Sequence, residues 1–321
     1  MHMDRAGVVP VRSTVAIWPR YPGGAFLEMA VKRIFVVGCP RSGTTVVQAL
    51  IARHPDVHTL PETGFFEALY GGTRARWGDP YARDGRRWYH RRLRLAQSRG
   101  RRRLRELEHG TGLKRRLPVP WRDGACTQRF VRMLDHAAAR AGCSAWIEKT
   151  PQHLLYLDEI AAAVPDARFV HVIRAGRDVL ASIADADLHQ PWPDFSGGVV
   201  TWARRWNHAL GLSLARQDDP RHFLLCLEDL TRDFDGTWHA LREFLDLAVD
   251  RTLLARPGSR VSSVDHEPWR RRETTGRINT PERKYERLFG PETRAWIESA
   301  LCDYARARRQ ISENCAQSRS G

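Results

Sequence analysis

The sequence predicts an α/β fold in which a parallel sheet is flanked by helices and carries an arginine-rich helical insertion. Short apolar runs of strand length alternate with helical patterns, and this alternation indicates a parallel sheet. The chain has 321 residues, of which 42% are hydrophobic. This is enough to bury a large core, and it disfavours a disordered protein.

The elements follow in order along the chain. Residues 1–30 show no clear period and are predicted to form an N-terminal arm, so that 31–321 make up one domain. The strands are expected at 34–37, 57–60, 145–148, 168–173 and 223–227. The helices are expected at 46–53, from 65, around 130–138, and at 154–164, 179–188, 201–215, 238–247 and 291–308, with a polar loop at 257–280.

A basic insertion at about 71–144 interrupts the alternation. Residues 74–122 hold sixteen Arg and one Lys against four carboxylates, a balance of +13 out of a total formal charge of +15. Tyr81, Trp88 and Leu95 recur every seven residues, which predicts one helical stripe. Because the charge is regional, a nucleic-acid-binding protein that is basic throughout is disfavoured. A solvated helix face and a surface for acidic partners both stay open.

Residues 33–45, RIFVVGCPRSGTT, predict a strand, a tight loop and a helix N-terminus. Backbone N–H groups of such a loop, together with the helix dipole, bind an anion such as phosphate. The predicted sheet is therefore P-loop-like. A Walker loop has Lys after its second Gly. Here Thr44 occupies that position and the cation is Arg41, although a kinase loop without its Lys would also fit.

A second motif follows at 168–185, RFVHVIRAGRDVLASIAD. The strand ends at Ile173, so Arg174 lies at its carboxyl edge and Ser182 two turns into the next helix. Ligands of parallel sheets bind beyond this edge. Arg174 and Ser182 are therefore expected to converge on one anion, the alternative being a surface charge and a serine without a role.

Together the two motifs resemble those of sulfotransferases that use 3′-phosphoadenosine 5′-phosphosulfate (PAPS), particularly the bacterial and tyrosylprotein branch. The match is good over 33–70 and 145–190, loose over 223–234, and fails over 71–144. The resemblance implies PAPS as co-substrate and no metal. It implies that the PAPS-binding residues are Arg41, Ser42, Gly43, Thr44, Thr45, Arg174 and Ser182, with Gly276 and Arg277 as the nearest match to a later loop at the 3′-phosphate.

The same resemblance implies three catalytic residues. Glu62 corresponds to the family's catalytic carboxylate, and Lys149, in IEKTP, to its catalytic lysine. Sulfuryl transfer to a hydroxyl would then use Glu62 as base, with Arg41 and Lys149 stabilising charge. The alternatives are that Glu62 caps a helix beginning near Phe65 and that Lys149 is a solvated charge at a strand end.

The expected acceptor is a hydroxyl of a glycan, glycolipid or natural product, and no nucleic acid partner is expected. Contact of residues 74–122 with acidic surfaces and a homodimer are both compatible with the sequence. The six cysteines are scattered and lack the spacing of metal ligands, so no metal site is expected. The sequence shows no signal-peptide pattern and no apolar segment long enough to span a membrane, and a cytoplasmic protein is expected.

Two other classes of function stay open. The first is a P-loop kinase using ATP and Mg²⁺, which requires a metal-binding carboxylate at a strand end, where the sequence offers Glu148 and Glu228. The second is a nucleic-acid or anionic-surface binding protein organised by residues 74–122.

Overall fold

The computed structural model describes residues 31–82, 88–111, 118–189, 195–247 and 284–320. The predicted arm at 1–30, the predicted loop at 257–280 and the pair Gly276 and Arg277 lie outside the described residues. The predicted division into arm and domain therefore stays a prediction.

The described part of the chain contains one five-stranded sheet in the order β2-β3-β1-β4-β5, with every pair of neighbours parallel. The strands are β1 Lys32–Gly38, β2 Val57–Thr59, β3 Ala145–Lys149, β4 Arg168–Ile173 and β5 His222–Cys226. All five lie where the sequence predicts them. The fold class is therefore confirmed.

β1 is the central strand because its side chains are apolar on both faces. Residues 34–37 are fully buried, which is typical of a parallel strand covered on both sides. Phe35 packs against Trp146 of β3 and Phe169 of β4, with ring centroids 5.2 and 5.6 Å apart. These contacts hold the strand between its two neighbours.

Helices cover both faces of the sheet. The helices are α1 Thr44–Ile51, α2 Phe65–Tyr70, α3 Thr73–Arg76, α4 Trp88–Arg92, α5 Ser98–Gly110, α6 Asp123–Arg140, α7 Leu157–Ala163, α8 Gly176–His189, α9 Gly198–Leu214, α10 Leu227–Arg232, α11 Phe234–Leu245, α12 Lys284–Leu288, α13 Pro291–Ala300 and α14 Tyr304–Ser320. Phe35 and Val37 belong to a core that includes side chains of α2, α5, α6, α8 and α9, whereas Ile34 and Val36 belong to a second core with α1 and α11.

The predicted helical stripe of the insertion is wrong. Tyr81 lies in a turn and is 92% exposed, Trp88 begins the short helix α4, and Leu95 pairs with Arg122 in an isolated β-bridge. The side chain of Asp79 accepts a hydrogen bond from the N–H of Tyr81 at 2.9 Å, a local contact that favours a turn over a helix.

Two further helices differ from the prediction. The segment predicted as a helix at 154–164 begins as a 3₁₀ helix, Pro151–Tyr156, and continues as α7. The helix predicted at 291–308 is divided into α13 and α14. The side chain of Asn207 bonds Ala300 O and Cys302 N at 2.8 and 2.9 Å, which satisfies the backbone at this break.

Among the described residues, no helix combines the length and the apolar character needed to cross a bilayer.

Candidate active site

The loop between β1 and α1 has the conformation of an anion-binding loop. Gly43 caps α1 with φ 98°, and a Cβ there would lie 2.8 Å from the Leu227 side chain, so the position requires glycine. Arg41 also has a left-handed backbone, φ 70°, which is uncommon outside glycine and is found at functional sites.

A buried hydroxyl lines this loop. The Oγ atom of Ser42 is buried and has no hydrogen-bond partner among the described residues. Leaving such a group unsatisfied costs about 1–3 kcal/mol. The first backbone N–H groups of a helix point out of its N-terminus, and α1 begins at Thr44, directly after the loop. The loop therefore fits a phosphate, which would accept hydrogen bonds from all of these groups.

Lys149, at the end of β3, reaches one side of the loop. Its side chain is fully buried. Its Nζ atom donates to Thr45 Oγ1 at 3.3 Å and forms an ion pair with the carboxylate of Glu62. The alternative of a solvated strand-end charge is therefore wrong. A buried ammonium needs these partners because its desolvation costs several kcal/mol.

Arg174 and Ser182, which follow β4, reach the other side of the loop. Arg41 Nε donates to Ser182 Oγ at 3.1 Å, and Arg174 Nη1 donates to the backbone oxygen of Arg41 at 3.4 Å. The Trp206 indole N–H donates to the backbone oxygen of Arg174 at 3.0 Å. Ser182 thus contacts the Arg41 side chain of the loop, and its role in binding stays a prediction.

The order of the strands explains this arrangement. β3 and β4 are the two neighbours of β1, with Lys149 paired to Val36 and Val172 paired to Gly38. Both strands therefore end beside the loop that follows Gly38. Arg41 in the loop, and Lys149 and Arg174 on its two sides, thus place three cationic side chains at the carboxyl edge of the sheet.

Glu62 lies in a short connection between β2 and α2. The N-terminal cap of α2 is Gly64, without a side-chain cap, so the alternative role of Glu62 as a helix cap is wrong. Its carboxylate is 35% exposed and is directed toward Lys149. Glu62 is thus accessible from solvent while it contacts the buried lysine.

A buried carboxylate that the sequence analysis did not assign to the site holds this connection in place. Glu148 accepts hydrogen bonds from Thr63 Oγ1 at 2.7 Å, from Thr150 Oγ1 at 2.6 Å and from His153 Nδ1 at 2.9 Å. Burial acts to raise the pKa of Glu148, but the electrostatic interaction with His153 and these hydrogen bonds hold that pKa below its ordinary value. The sequence signal for this role is a glutamate inside an otherwise apolar strand, AWIEK, because a buried carboxylate needs hydrogen-bond partners.

The carboxylates at the strand ends have internal partners. The oxygens of Glu148 are engaged as described, and Glu228 accepts from Ala175 N at 2.9 Å and from the Tyr304 hydroxyl. Among the described residues, no group of three or more His, Cys, Asp or Glu side chains is arranged to hold a metal ion. Glu148 and Glu228, the two carboxylates that the kinase alternative would use for a metal, are thus both engaged in hydrogen bonds within the protein.

Comparison with known proteins identifies the family. A model described as the sulfotransferase family matches residues 33–251, and the chain therefore belongs to this family. A comparison with curated proteins yields no match.

The chain is also similar to solved structures. A sulfotransferase domain from the Synechococcus PCC 7002 olefin synthase is 18% identical, with 82% of this chain and 94% of that chain covered and a TM-score of 0.46. A sulfotransferase from Alicyclobacillus acidocaldarius is 14% identical, with coverage of 87% and 99% and a TM-score of 0.43. A retinol dehydratase in complex with androsterone and inactive cofactor PAP is 14% identical, with coverage of 85% and 80% and a TM-score of 0.38.

Replacing Glu148 by Gln is expected to lower the free energy of unfolding by about 2 kcal/mol near neutral pH, since hydrogen bonds to charged groups contribute roughly 1.5–3 kcal/mol. The folded-state pKa lies below the ordinary value of 4.5, so this stabilisation is complete above that pH and is lost as the pH falls through the folded pKa. Urea unfolding of both proteins from about pH 7 to about pH 3 should show a constant difference that shrinks below about pH 4.5.

The matched control is Glu313→Gln, because Glu313 is exposed on α14. Its effect should stay within about 0.5 kcal/mol at every pH. A difference for Glu148→Gln that grows toward acid pH would contradict the assigned direction of the pKa shift.

Proposed function

We propose that this member of the sulfotransferase family transfers the sulfuryl group of PAPS to an acceptor hydroxyl and releases 3′-phosphoadenosine 5′-phosphate (PAP). The observation that carries the proposal is the loop at 41–45, which is contacted by Lys149 from one side and by Arg174 and Ser182 from the other. Two cationic positions beside one anion-binding loop suit a nucleotide that carries two separate anionic groups.

The residues proposed to bind PAPS fall into two sets. Ser42, Gly43, Thr44 and Thr45 are suited to the 5′-phosphosulfate, because the buried Ser42 hydroxyl and the start of α1 offer donors to it. Arg174 and Ser182 are suited to the 3′-phosphate. Roles for Gly276 and Arg277 at the 3′-phosphate stay predictions.

In the proposed reaction, the acceptor oxygen forms a bond to sulfur as the bond between sulfur and the bridging oxygen of PAPS breaks. Negative charge builds on that bridging oxygen, which leaves with PAP. Arg41 and Lys149 lie at the loop, where cations stabilise such charge. Their benefit is largest in a site closed to water, and Lys149 is fully buried.

Glu62 is the proposed base. Its carboxylate takes the proton that the acceptor hydroxyl loses during attack. The ion pair with Lys149 holds the carboxylate beside the loop, and its partial exposure leaves it open to an acceptor. The acceptor is proposed to be a glycan, a glycolipid or a natural product. A homodimer and a cytoplasmic location stay predictions.

PAP is expected to stabilise the protein strongly without metal, whereas AMP, which lacks the 3′-phosphate, should stabilise it much less. A ligand present at 100 times its Kd contributes about 2.7 kcal/mol. The shift in Tm is measured with four ligands: PAP and AMP, both in EDTA, then ATP alone and ATP with Mg²⁺.

The variant Arg174→Met should reduce the Tm shift by PAP toward that by AMP, and it should leave the Tm shift by AMP unchanged. Equal shifts from PAP and AMP would contradict the proposal, and a larger shift from ATP with Mg²⁺ would favour the kinase.

Replacing Glu62 by Gln is expected to lower kcat by about 100-fold or more, because general-base catalysis contributes about 10²–10⁴-fold. The Kd for PAP should change little, since the amide preserves the shape of the side chain. PAP release from PAPS is measured with water and with a panel of simple alcohols and phenols as acceptors. The control is Glu67→Gln on α2. Substantial turnover by Glu62→Gln would contradict the assignment of the base.

Lys149→Met and Arg41→Met are expected to lower kcat through loss of charge stabilisation, and Arg41→Met should also weaken PAP binding because it removes the contact with Ser182. In contrast to Glu62→Gln, both variants lose positive charge at the loop. The same assay and a PAP titration separate the two effects.

Contact with acidic surfaces is the proposed role of the exposed part of the insertion. Trp88, Leu93 and Trp121 are 73, 58 and 69% exposed, and the backbone N–H of Ala96 bonds Trp121 O at 2.8 Å, which joins the two chain segments that carry them. Exposed arginines are interspersed among them at positions 92, 94 and 122. Aromatic rings among basic side chains suit an anionic lipid surface.

A triple variant, Arg92→Gln, Arg94→Gln and Arg122→Gln, should weaken binding to phosphatidylserine vesicles about 100-fold, at about 1 kcal/mol per arginine. The control replaces Arg232, Arg306 and Arg309, three exposed arginines outside the insertion, by Gln. Vesicle co-sedimentation across a salt series measures the effect, and the salt dependence should flatten in the test variant. Equal binding by all three proteins would leave the region as a solvated face, and preferential binding to DNA would favour the nucleic-acid alternative.

A further inference from the structure

The structure assigns a positioning role to one arginine of the insertion: we propose that Arg103 fixes the backbone that carries Glu62 and thereby aligns the base with the acceptor. This inference rests on the proposed function, in which Glu62 is the base. It concerns the part of the chain where the resemblance to the PAPS-dependent enzymes fails.

Arg103, on α5, bonds directly to the connection between β2 and α2. Its Nε atom donates to the backbone oxygen of Thr63 at 2.6 Å, and its Nη2 atom donates to the backbone oxygen of Glu62 at 3.4 Å. Its Nη1 atom bonds Glu106 at 3.2 Å. The guanidinium is planar and presents its donors in a fixed fork, so two adjacent carbonyl groups are held in one orientation.

Close packing of α5 on α2 brings the guanidinium to this position. A Cβ on Gly100 would lie 2.4 Å from the Cα of Leu69, so the two helices approach at a distance that only glycine permits. Gln97 Nε2 donates to Tyr70 O at 2.9 Å and fixes the start of α5 against the end of α2. Arg103 follows Gly100 by one turn, where it faces the residues that precede α2.

The opposite side of the same connection is bound to Glu148 and Thr150. The backbone N–H of Thr63 is 3.3 Å from Glu148 Oε1 and 3.1 Å from Thr150 Oγ1. The backbone N–H of Thr63 thus donates to the buried carboxylate of Glu148, while the backbone oxygens of Glu62 and Thr63 accept from the guanidinium of Arg103. Such charged groups at the two ends of a peptide dipole polarise and strengthen both sets of hydrogen bonds.

The consequence for catalysis is geometric. A displacement of a reacting group by about 1 Å lowers a rate about 100-fold. The Glu62 carboxylate forms an ion pair with Lys149, and the backbone that carries it is bonded by Arg103 on one side and by the Glu148 cluster on the other. Arg103 touches no reacting atom and acts through Glu62.

The test compares Arg103→Met with Arg102→Met. Arg102 is the neighbouring residue on α5, with a 73% exposed side chain that pairs with Glu106, and provides a matched control. Hydrogen–deuterium exchange of peptides that cover residues 60–66 is measured first. Arg103→Met should accelerate exchange of these amides, whereas Arg102→Met should not.

Turnover is then measured as PAP release from PAPS with water as acceptor, together with the Kd for PAP. Arg103→Met should lower kcat about 10- to 100-fold with little change in the Kd for PAP. Arg103→Lys, which can bond one carbonyl group, should recover part of the loss, and added guanidinium ion should partly restore Arg103→Ala. In a Glu62→Gln background, Arg103→Met should have little further effect.

Three results would overturn the proposal. They are unchanged exchange over 60–66, accelerated exchange with unchanged kcat, and an equal loss of kcat in the Glu62→Gln background. Failure of the proposed function is distinguished by Glu62→Gln alone, which would then retain turnover, while the exchange data still report whether Arg103 anchors the backbone.

Discussion

The arrangement of the candidate site depends on one buried lysine. Lys149 is fully buried at the end of β3, and its ammonium is stabilised by Glu62 and Thr45. Removing the Glu62 carboxylate would take away the negative charge that is paired with this buried ammonium, and breaking such a pair costs more than the pair itself contributes. The lysine therefore determines the position of the β2–α2 connection on one side and the start of α1 on the other.

Glu148 extends this constraint to the adjacent residue of the same strand. Successive side chains of a strand point in opposite directions, so Glu148 and Lys149 act on different partners. Glu148 binds the Thr63, Thr150 and His153 side chains, and Lys149 binds the Glu62 side chain. The backbone and the carboxylate of the proposed base are thus oriented by neighbouring residues of β3.

Some arginines of the insertion form contacts within the protein, whereas others are exposed to solvent. Arg76 donates to Leu155 O at 2.7 Å and pairs with Glu159, and Arg129 pairs with the buried Glu108 at 2.6 Å. Arg101 lies over the ring of Trp121, 3.7 Å from its centroid. These arginines form contacts within the insertion and with the 3₁₀ helix and α7. The local net charge therefore overstates the positive charge that a partner could contact.

The five strands, the loop at 38–43 and the residues around it could be predicted from the sequence, because each depends on local apolar runs and on short spacings. The roles proposed for Arg41, Glu62, Lys149, Arg174 and Ser182 came from a resemblance, and the structure brings their side chains to one edge of the sheet. The contacts of Glu148 and Arg103 with the connection that carries Glu62 could not be predicted in this way. Those contacts join residues 40 to 87 positions apart, and they depend on strand register and on the packing of α5 against α2, which no local pattern encodes. The false stripe of Tyr81, Trp88 and Leu95 has the same origin, since a period of seven carries no information about the turn that Asp79 stabilises.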